Sequence, residues 1–418
     1  MLKFTGNKQF IRFVSRKIER YWMNSNFIIT VCVVIILLLM YHQITDNIHT
    51  RQTKCSIEER ADELPILSNI LDYKSRNKIL ELFGWTATRP QKRVIIVTYM
   101  RSGSSFTGSI ISSHPEVIYF FEPLHSMHKY KANSRRSRPS MFILDNARDI
   151  SDMGSSEELT QQILESYLNC DFLKLDLKTL QDRFPFLYHQ TTPFTACSRS
   201  NPGLIGVVQC LATLYKQCTQ SSVTAIKTIR TSMYTIRQLL KIDTNLKVIY
   251  LLRDPRATTL SQLYLKRADP PLKLYNRTSQ KLCSTMWLDI VMASKLMKQH
   301  PDRIVGLMYE DLIRDPYKIA RKIFEFIGLE YDEHVSDHIK AITNGKRDGK
   351  CVTCVSRKNS TKTASQWRQE INYKGVLAVD ENCQKVYRMT GYIPVSGSDV
   401  LRDRTVDLRV PPRLPVLV

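Results

Sequence analysis

The chain has 418 residues, enough to bury a full core in one large domain or two. With 43% hydrophobic and 24% charged residues it reads as globular, which excludes a disordered or low-complexity chain. A formal net charge of +22 points to an anionic partner: nucleic acid, a membrane surface, an acidic glycan and a phosphate-rich cofactor all fit.

Met1 to Asn26 carries Lys3, Lys8, Arg12, Arg16, Lys17 and Arg20 against the single Glu19, leaving about +17 for the rest. Phe27 to Tyr41, FIITVCVVIILLLMY, is apolar and lies inside a charge-free span from Tyr21 to Thr45. As a helix that span reaches roughly 37 Å, longer than a hydrocarbon core of roughly 30 Å. A buried core helix is the competing reading, but no other segment is greasy enough to pack against it. The following YHQITDN offers no small-residue cleavage site, so the segment is expected to remain as an anchor. After Tyr41 the next twenty residues hold only Arg51, Lys54 and Arg60. The positive-inside rule then predicts a cytosolic tail at 1–26, a single transmembrane helix at 27–41, and everything later in the lumen or outside.

Residues 42–91 are polar and mixed in charge, with one amphipathic stretch, LPILSNILDYKSRNKILELF, and read as a stem or as a first helix packed on the next domain. From Lys92 apolar runs alternate with helical patterns, the signature of a parallel sheet with crossover helices. The spacing predicts strands at Val94–Thr98, Val117–Phe121, Val223–Lys227, Leu246–Leu252 and Ile304–Tyr309. Helices are expected at Phe106–Ser112, Glu157–Asn169, Ser232–Ile242, Lys281–Gln299 and Tyr317–Ile327. The fold class is therefore α/β, a three-layer domain over 92–395, followed by a flexible tail at 396–418 with three prolines and no periodicity.

Nine cysteines follow the anchor, and an oxidising lumen favours disulfides among them with one thiol left over. Cys351 and Cys354 form a lone C-x-x-C without the second pair that zinc requires, so a disulfide is favoured over metal. Two sequons, at Asn276 and Asn359, suit a luminal chain and mark candidate glycosylation sites.

The first strand ends in TYMRSGSSFTG, a Gly-containing turn feeding a helix. Such a turn aims backbone N–H groups and a positive helix end at one point, an anion cradle. Ser102, Ser104, Ser105 and Thr107 add hydroxyls, and Arg101 adds a donor fork suited to phosphate or sulfate oxygens. A triphosphate P-loop does not fit, because no Lys follows Gly108 and no second Gly precedes Gly103 at the required spacing. The fourth strand ends in RDPRATTLS, placing Arg253 and Arg256 at a carboxyl edge where open α/β sheets bind ligands. If Pro255 opens a helix, Ser261 lies about two turns along and can share an oxyanion with Arg253. Two anion corners on one sheet imply a ligand with phosphates at two ends.

RSGSSF after a strand, RDPRA with a serine eight residues past its first Arg, YEDL at Tyr309–Leu312 and a late WR at Trp367 together resemble the Golgi carbohydrate sulfotransferases. The resemblance covers roughly Lys92 to Tyr392, and is strongest to the branch that sulfates the 6-hydroxyl of galactose, N-acetylglucosamine or N-acetylgalactosamine. It implies a P-loop-like sulfotransferase domain. The implied donor is 3′-phosphoadenosine 5′-phosphosulfate, held at its 5′ side by Arg101, Ser102, Gly103, Ser104, Ser105, Phe106 and Thr107. Arg253 and Ser261 are implied for the 3′-phosphate, with Asp254, Pro255 and Arg256 in the same segment. The resemblance further implies no metal, no nucleic acid partner, a Golgi location, and a glycan or proteoglycan acceptor. Oligomeric state is left open, a homo-oligomer included.

Arg101 is expected to face the leaving oxygen as a catalytic group. Glu122, in YFFEP after the second strand, is the favoured general base, with His125 and His128 as rivals. Arg357, Lys358 and Arg368 lie in a late basic segment, but the Asn359 sequon keeps them out of the assigned site. The run HKYKANSRRSRP, from His128, reads as a solvated loop or as a groove for an acidic glycan. A donor-binding or glycan-binding protein without transferase activity is the alternative to an enzyme, and an ATP-dependent kinase, which needs magnesium, is the third reading.

Overall fold

The computed structural model describes residues 91–127, 156–265, 269–345 and 354–418. The expected cytosolic tail, the anchor at 27–41, nearly all of the stem, and the basic run with His128 lie outside the described residues. Among the described residues no helix is long and apolar enough to cross a membrane.

Five strands form one parallel sheet: β1 Lys92–Val97, β2 Val117–Phe121, β3 Val223–Thr228, β4 Leu246–Leu252 and β5 Ile304–Met308, in the order β2-β3-β1-β4-β5. Each coincides with an expected strand to within one or two residues at either end. Alternate side chains of one strand feed opposite faces. Ile95 and Val97 pack toward helices Met233–Ile242, Leu272–Gln299 and Tyr373–Thr390, whereas Val94 and Ile96 pack toward helices Ser104–Ser112, Pro316–Ile327 and Glu333–Thr343. The result is three layers with the sheet in the middle, and burial on both faces explains why these strands read as continuous apolar runs.

Val97 pairs in register with Thr228 of β3 and Tyr250 of β4, so β1 and β3 end level with one another and β4 runs two residues farther, to Leu252. The chain leaves β1 for β2, returns through β3 between them, and then crosses to β4 on the other side. That reversal opens a crevice at the carboxyl edge beside β1.

The region before β3 carries more structure than its sequence suggests. Helices Thr192–Ser200 and Gly203–Gln220 fill much of it, and Cys170–Cys218 and Cys197–Cys210 staple it. Cys283–Cys383 joins the two long helices Leu272–Gln299 and Tyr373–Thr390. Cys354 is also disulfide-bonded.

The segment 396–418 is not the flexible tail that its missing periodicity suggested. Ser398–Arg402 is helical, and Leu401, Leu408 and Leu414 are buried. Val416 bridges to Gly306, extending the edge of β5. Arg368 donates to the carbonyls of Val400, Leu401, Asp403 and Val406. Arg409 forms a two-pronged ion pair with Asp311. These anchors are carbonyls and widely spaced leucines, which leave no helical or strand period to read.

Arg409→Ala removes one half of a mostly buried pair, leaving Asp311 only the more exposed Arg314 at 3.6 Å. We expect a loss of about 2 kcal/mol, read from denaturant unfolding under oxidising conditions. A change within experimental error would mean that the tail does not contribute to the fold's stability.

Candidate active site

The turn after β1 is bent into an uncommon shape. Arg101 has φ 70 and Gly103 φ 86, both in the left-handed region. At Gly103 a Cβ would run into the ring of Tyr309, so glycine is required twice, for backbone and for space. Ser104 then begins the helix that runs to Ser112. Among the described residues only Arg101, Glu122 and Cys170 are non-glycine residues with positive φ. Two of the three are the candidates for chemistry, and strain of this kind persists only where the surroundings enforce it.

Three hydrogen bonds stitch this turn to the segment after β4. Arg101 Nε donates to Ser261 Oγ at 2.9 Å, Arg253 donates to the Arg101 carbonyl at 3.0 Å, and Gln262 donates to the Met100 carbonyl at 2.8 Å. The helix Pro255–Tyr264 starts at Pro255 as expected, capped by Asp254, which accepts from Arg256 N. Ser261 thus meets Arg101 directly, where a shared anion with Arg253 was expected. The Arg253 guanidinium lies over the Tyr309 ring at 4.7 Å, and its buried Nε has no hydrogen-bond partner.

Not every residue of the two motifs faces this space. Arg256 is fully buried, ion-paired with Asp254 and Asp380 and close to the rings of Trp367 and Tyr387. Asp254 is bound to Arg256 and to the helix start, and Pro255 is buried. Ser102 and Thr107 are buried on the inner side of the turn. These five belong to the scaffold of the cradle; Arg101, Gly103, Ser104, Ser105, Phe106, Arg253 and Ser261 line the cavity.

The cavity has a volume of about 540 Å³ and runs along the carboxyl edge to the ends of β2 and β3. Glu122 sits there, almost fully buried, with Lys227 Nζ 2.5 Å from Oε1 and the Arg230 guanidinium on Oε2. Lys227 and Arg230 were missed in the sequence. The available signal was a lysine next to the end of VTAIKT, a strand buried throughout, because a buried ammonium needs a partner. Burial pushes the Lys227 ammonium below the usual lysine range, with Glu122 pulling the other way. Burial also lowers Arg101, and the neighbouring charges of Arg253 and Arg357 add to it.

The rival bases fare differently. His125 does not line the cavity and is bound through Nδ1 to Asp182 at 2.6 Å, and His128 lies outside the described residues. In the late segment Arg357 and Trp367 form part of the wall, whereas Arg368 turns away to the carboxyl-terminal carbonyls. Asn276 and Asn359 are both exposed, and Asn359 caps the short helix Ser360–Ser365. Among the described residues no group of three His, Cys, Asp or Glu side chains could hold a metal ion.

A family model described as a sulfotransferase domain matches residues 91–391. Carbohydrate sulfotransferase 1 of Mus musculus is 28% identical over 364 residues, covering 78% of this chain and 85% of that protein. Carbohydrate sulfotransferase 5 of Homo sapiens is 26% identical over 359 residues, covering 76% and 82%. Mouse sulfotransferase SULT7A1, solved with PAP, aligns with 78% of this chain and 92% of its own at 12% identity and a TM-score of 0.37.

Gly103→Ala should cost about 2 kcal/mol in denaturant unfolding, because the backbone is left-handed and the methyl group meets Tyr309. In a Tyr309→Ala background the same change should cost less. Equal costs in both backgrounds would show that the ring is not what enforces glycine.

Proposed function

Since this chain belongs to the sulfotransferase family and its relatives are carbohydrate sulfotransferases, we propose that it moves a sulfuryl group from 3′-phosphoadenosine 5′-phosphosulfate to a sugar hydroxyl. The acceptor position in this reading is the 6-hydroxyl of galactose, N-acetylglucosamine or N-acetylgalactosamine on a glycan or proteoglycan. The observation that carries the reading is the meeting of Arg101, Ser261 and Arg253 in one cavity, with the buried Arg253 Nε lacking an acceptor. A buried guanidinium N–H without a partner is costly, and a phosphate oxygen satisfies it. The residues therefore fit a doubly phosphorylated nucleotide.

When bound, the nucleotide supplies the sulfuryl group and the phosphate oxygen on which charge grows as the bond breaks. Arg101 and the amino end of helix Ser104–Ser112 would hold its 5′ side, and Arg253 with Ser261 its 3′-phosphate. Arg101 is permanently charged, so it stabilises the departing oxygen without giving up a proton. Positioning and charge stabilisation supply most of the rate in displacements of this kind. Glu122 is the carboxylate at the far end of the cavity, and it is assigned to receive the proton of the attacking hydroxyl. Each of its oxygens already faces a cation, and Oε1, which receives Lys227, has a second lone pair with which to accept that hydroxyl.

We further read the chain as a single-pass type II Golgi membrane protein with its catalytic domain in the lumen and glycans at Asn276 and Asn359. The amino-terminal charge bias and apolar run support this, as do the disulfides, which suit an oxidising compartment.

Incubating the chain with radiolabelled donor and a panel of galactose-, N-acetylglucosamine- and N-acetylgalactosamine-terminated acceptors should label at least one of them, with EDTA making no difference. Donor binding with every acceptor unlabelled would sink the transferase reading. Arg101→Ala should lower kcat about a hundredfold or more with donor affinity within a few-fold. Arg253→Ala should weaken donor binding about tenfold and change kcat little. The reverse pattern would exchange the two roles.

A further inference from the structure

We propose that Phe184 is the wall on which the ring of the acceptor sugar stacks; this rests on the transferase reading above. The sheet divides the cavity. Arg101 and Arg253 follow β1 and β4, whereas Glu122 follows β2, about 10 Å from β1 at two strand spacings, with Lys227 and Arg230 at the end of β3 between them. An acceptor hydroxyl that reaches Glu122 must bring its ring to this second end. Phe184 is the aromatic residue from outside the sheet that lines it.

Phe184 is held with more care than a loop phenylalanine needs. Its backbone N donates to Asp182 Oδ1 at 3.2 Å, and the other oxygen of Asp182 receives His125 Nδ1 at 2.6 Å. The His125 ring stacks on Phe184 with centroids 3.8 Å apart. Phe121, the residue before Glu122, lies nearly parallel to Phe184 at 6.2 Å. Asp182 and His125 therefore act as positioning residues, fixing an only partly buried ring beside the carboxylate. Rigidity of that kind costs nothing further on binding.

The chemistry matches a pyranose. Such a ring presents C–H groups on a face and hydroxyls around its rim. His125 covers one face of the Phe184 ring, so the part of the ring left exposed takes the sugar's apolar face, while the charged groups at the strand ends meet the rim. The same division gives His125 a use, since it does not reach the cavity as a base.

The test uses the full chain. Acceptor KM is measured with galactose-terminated and N-acetylglucosamine-terminated oligosaccharides, and Kd is measured for adenosine 3′,5′-bisphosphate. Phe184→Ala should raise acceptor KM about tenfold with nucleotide Kd unchanged, which also reports that the variant is folded. Phe184→Tyr should bring KM back to within about twofold of the original chain. An unchanged KM in Phe184→Ala, or a nucleotide Kd rising in parallel, overturns the assignment. Saturation-transfer NMR on the sugar C–H protons needs no turnover, so it separates this inference from the transferase reading. Transfer present in the original chain and lost in Phe184→Ala supports stacking even if no sulfuryl group moves; transfer absent from the original chain, or unaltered in the variant, overturns it.

Discussion

The site depends on a pair of like charges forced together. Arg253 donates to the carbonyl of Arg101, and Arg101 in turn holds Ser261, so two guanidinium groups from different strands share one edge of the sheet. Partly buried as they are, they repel more strongly than they would in bulk water. Burial and the charges of Arg253 and Arg357 all work against the Arg101 cation. Other features make that arrangement tolerable. The Tyr309 ring lies under Arg253, Gly103 lets that ring approach, and Pro255 starts the next helix at once so that Ser261 arrives at the right height. An arrangement that repels itself in the free protein is one that an anion relieves, as the phosphates of the proposed donor would.

A second charged group sits two strands away and is balanced differently. Glu122 faces two cations, so this end of the cavity keeps its own counter-charge while the first end carries an excess of positive charge. The asymmetry separates the roles: the end with two arginines suits a polyanionic donor, and the end with a carboxylate suits a hydroxyl that must shed a proton. Glu122, like Arg101, sits at positive φ, so each end of the reaction space begins with a residue bent out of the chain's ordinary path.

The strands and the two motifs at their ends were legible in the sequence for one physical reason. A parallel sheet covered on both faces imposes uninterrupted apolar runs, and a loop at such a strand's carboxyl end is where polar residues reappear. The same rule hid Lys227, which lies inside a buried run and looks like part of it until the fold sets Glu122 against it. Arg256 misled in the opposite sense. Its place after β4 suggests a ligand contact, yet helix geometry turns it inward to Asp254 and Asp380. Helix Gly203–Gln220 was not foreseen because no side chain caps its start and stapling cysteines hold it, whereas Glu333–Thr343 was missed although Asp332 caps it by accepting from Val335 N.

In the carboxyl-terminal segment, order exists with no side-chain period at all. The family match ends at residue 391, but the fold does not. Trp367 forms part of the cavity wall, and the next residue, Arg368, finds its acceptors among the carbonyls of Val400, Leu401, Asp403 and Val406. Arg402 returns the favour by donating to the carbonyls of Arg368 and Ile371. Farther on, Arg409 grips Asp311, two residues from the Tyr309 that packs on Gly103. A segment with no periodicity of its own therefore braces the cradle from two sides, through backbone carbonyls on one side and a single ion pair on the other. Side-chain patterning governs the sheet, but the order of this last stretch comes from what the rest of the fold offers it.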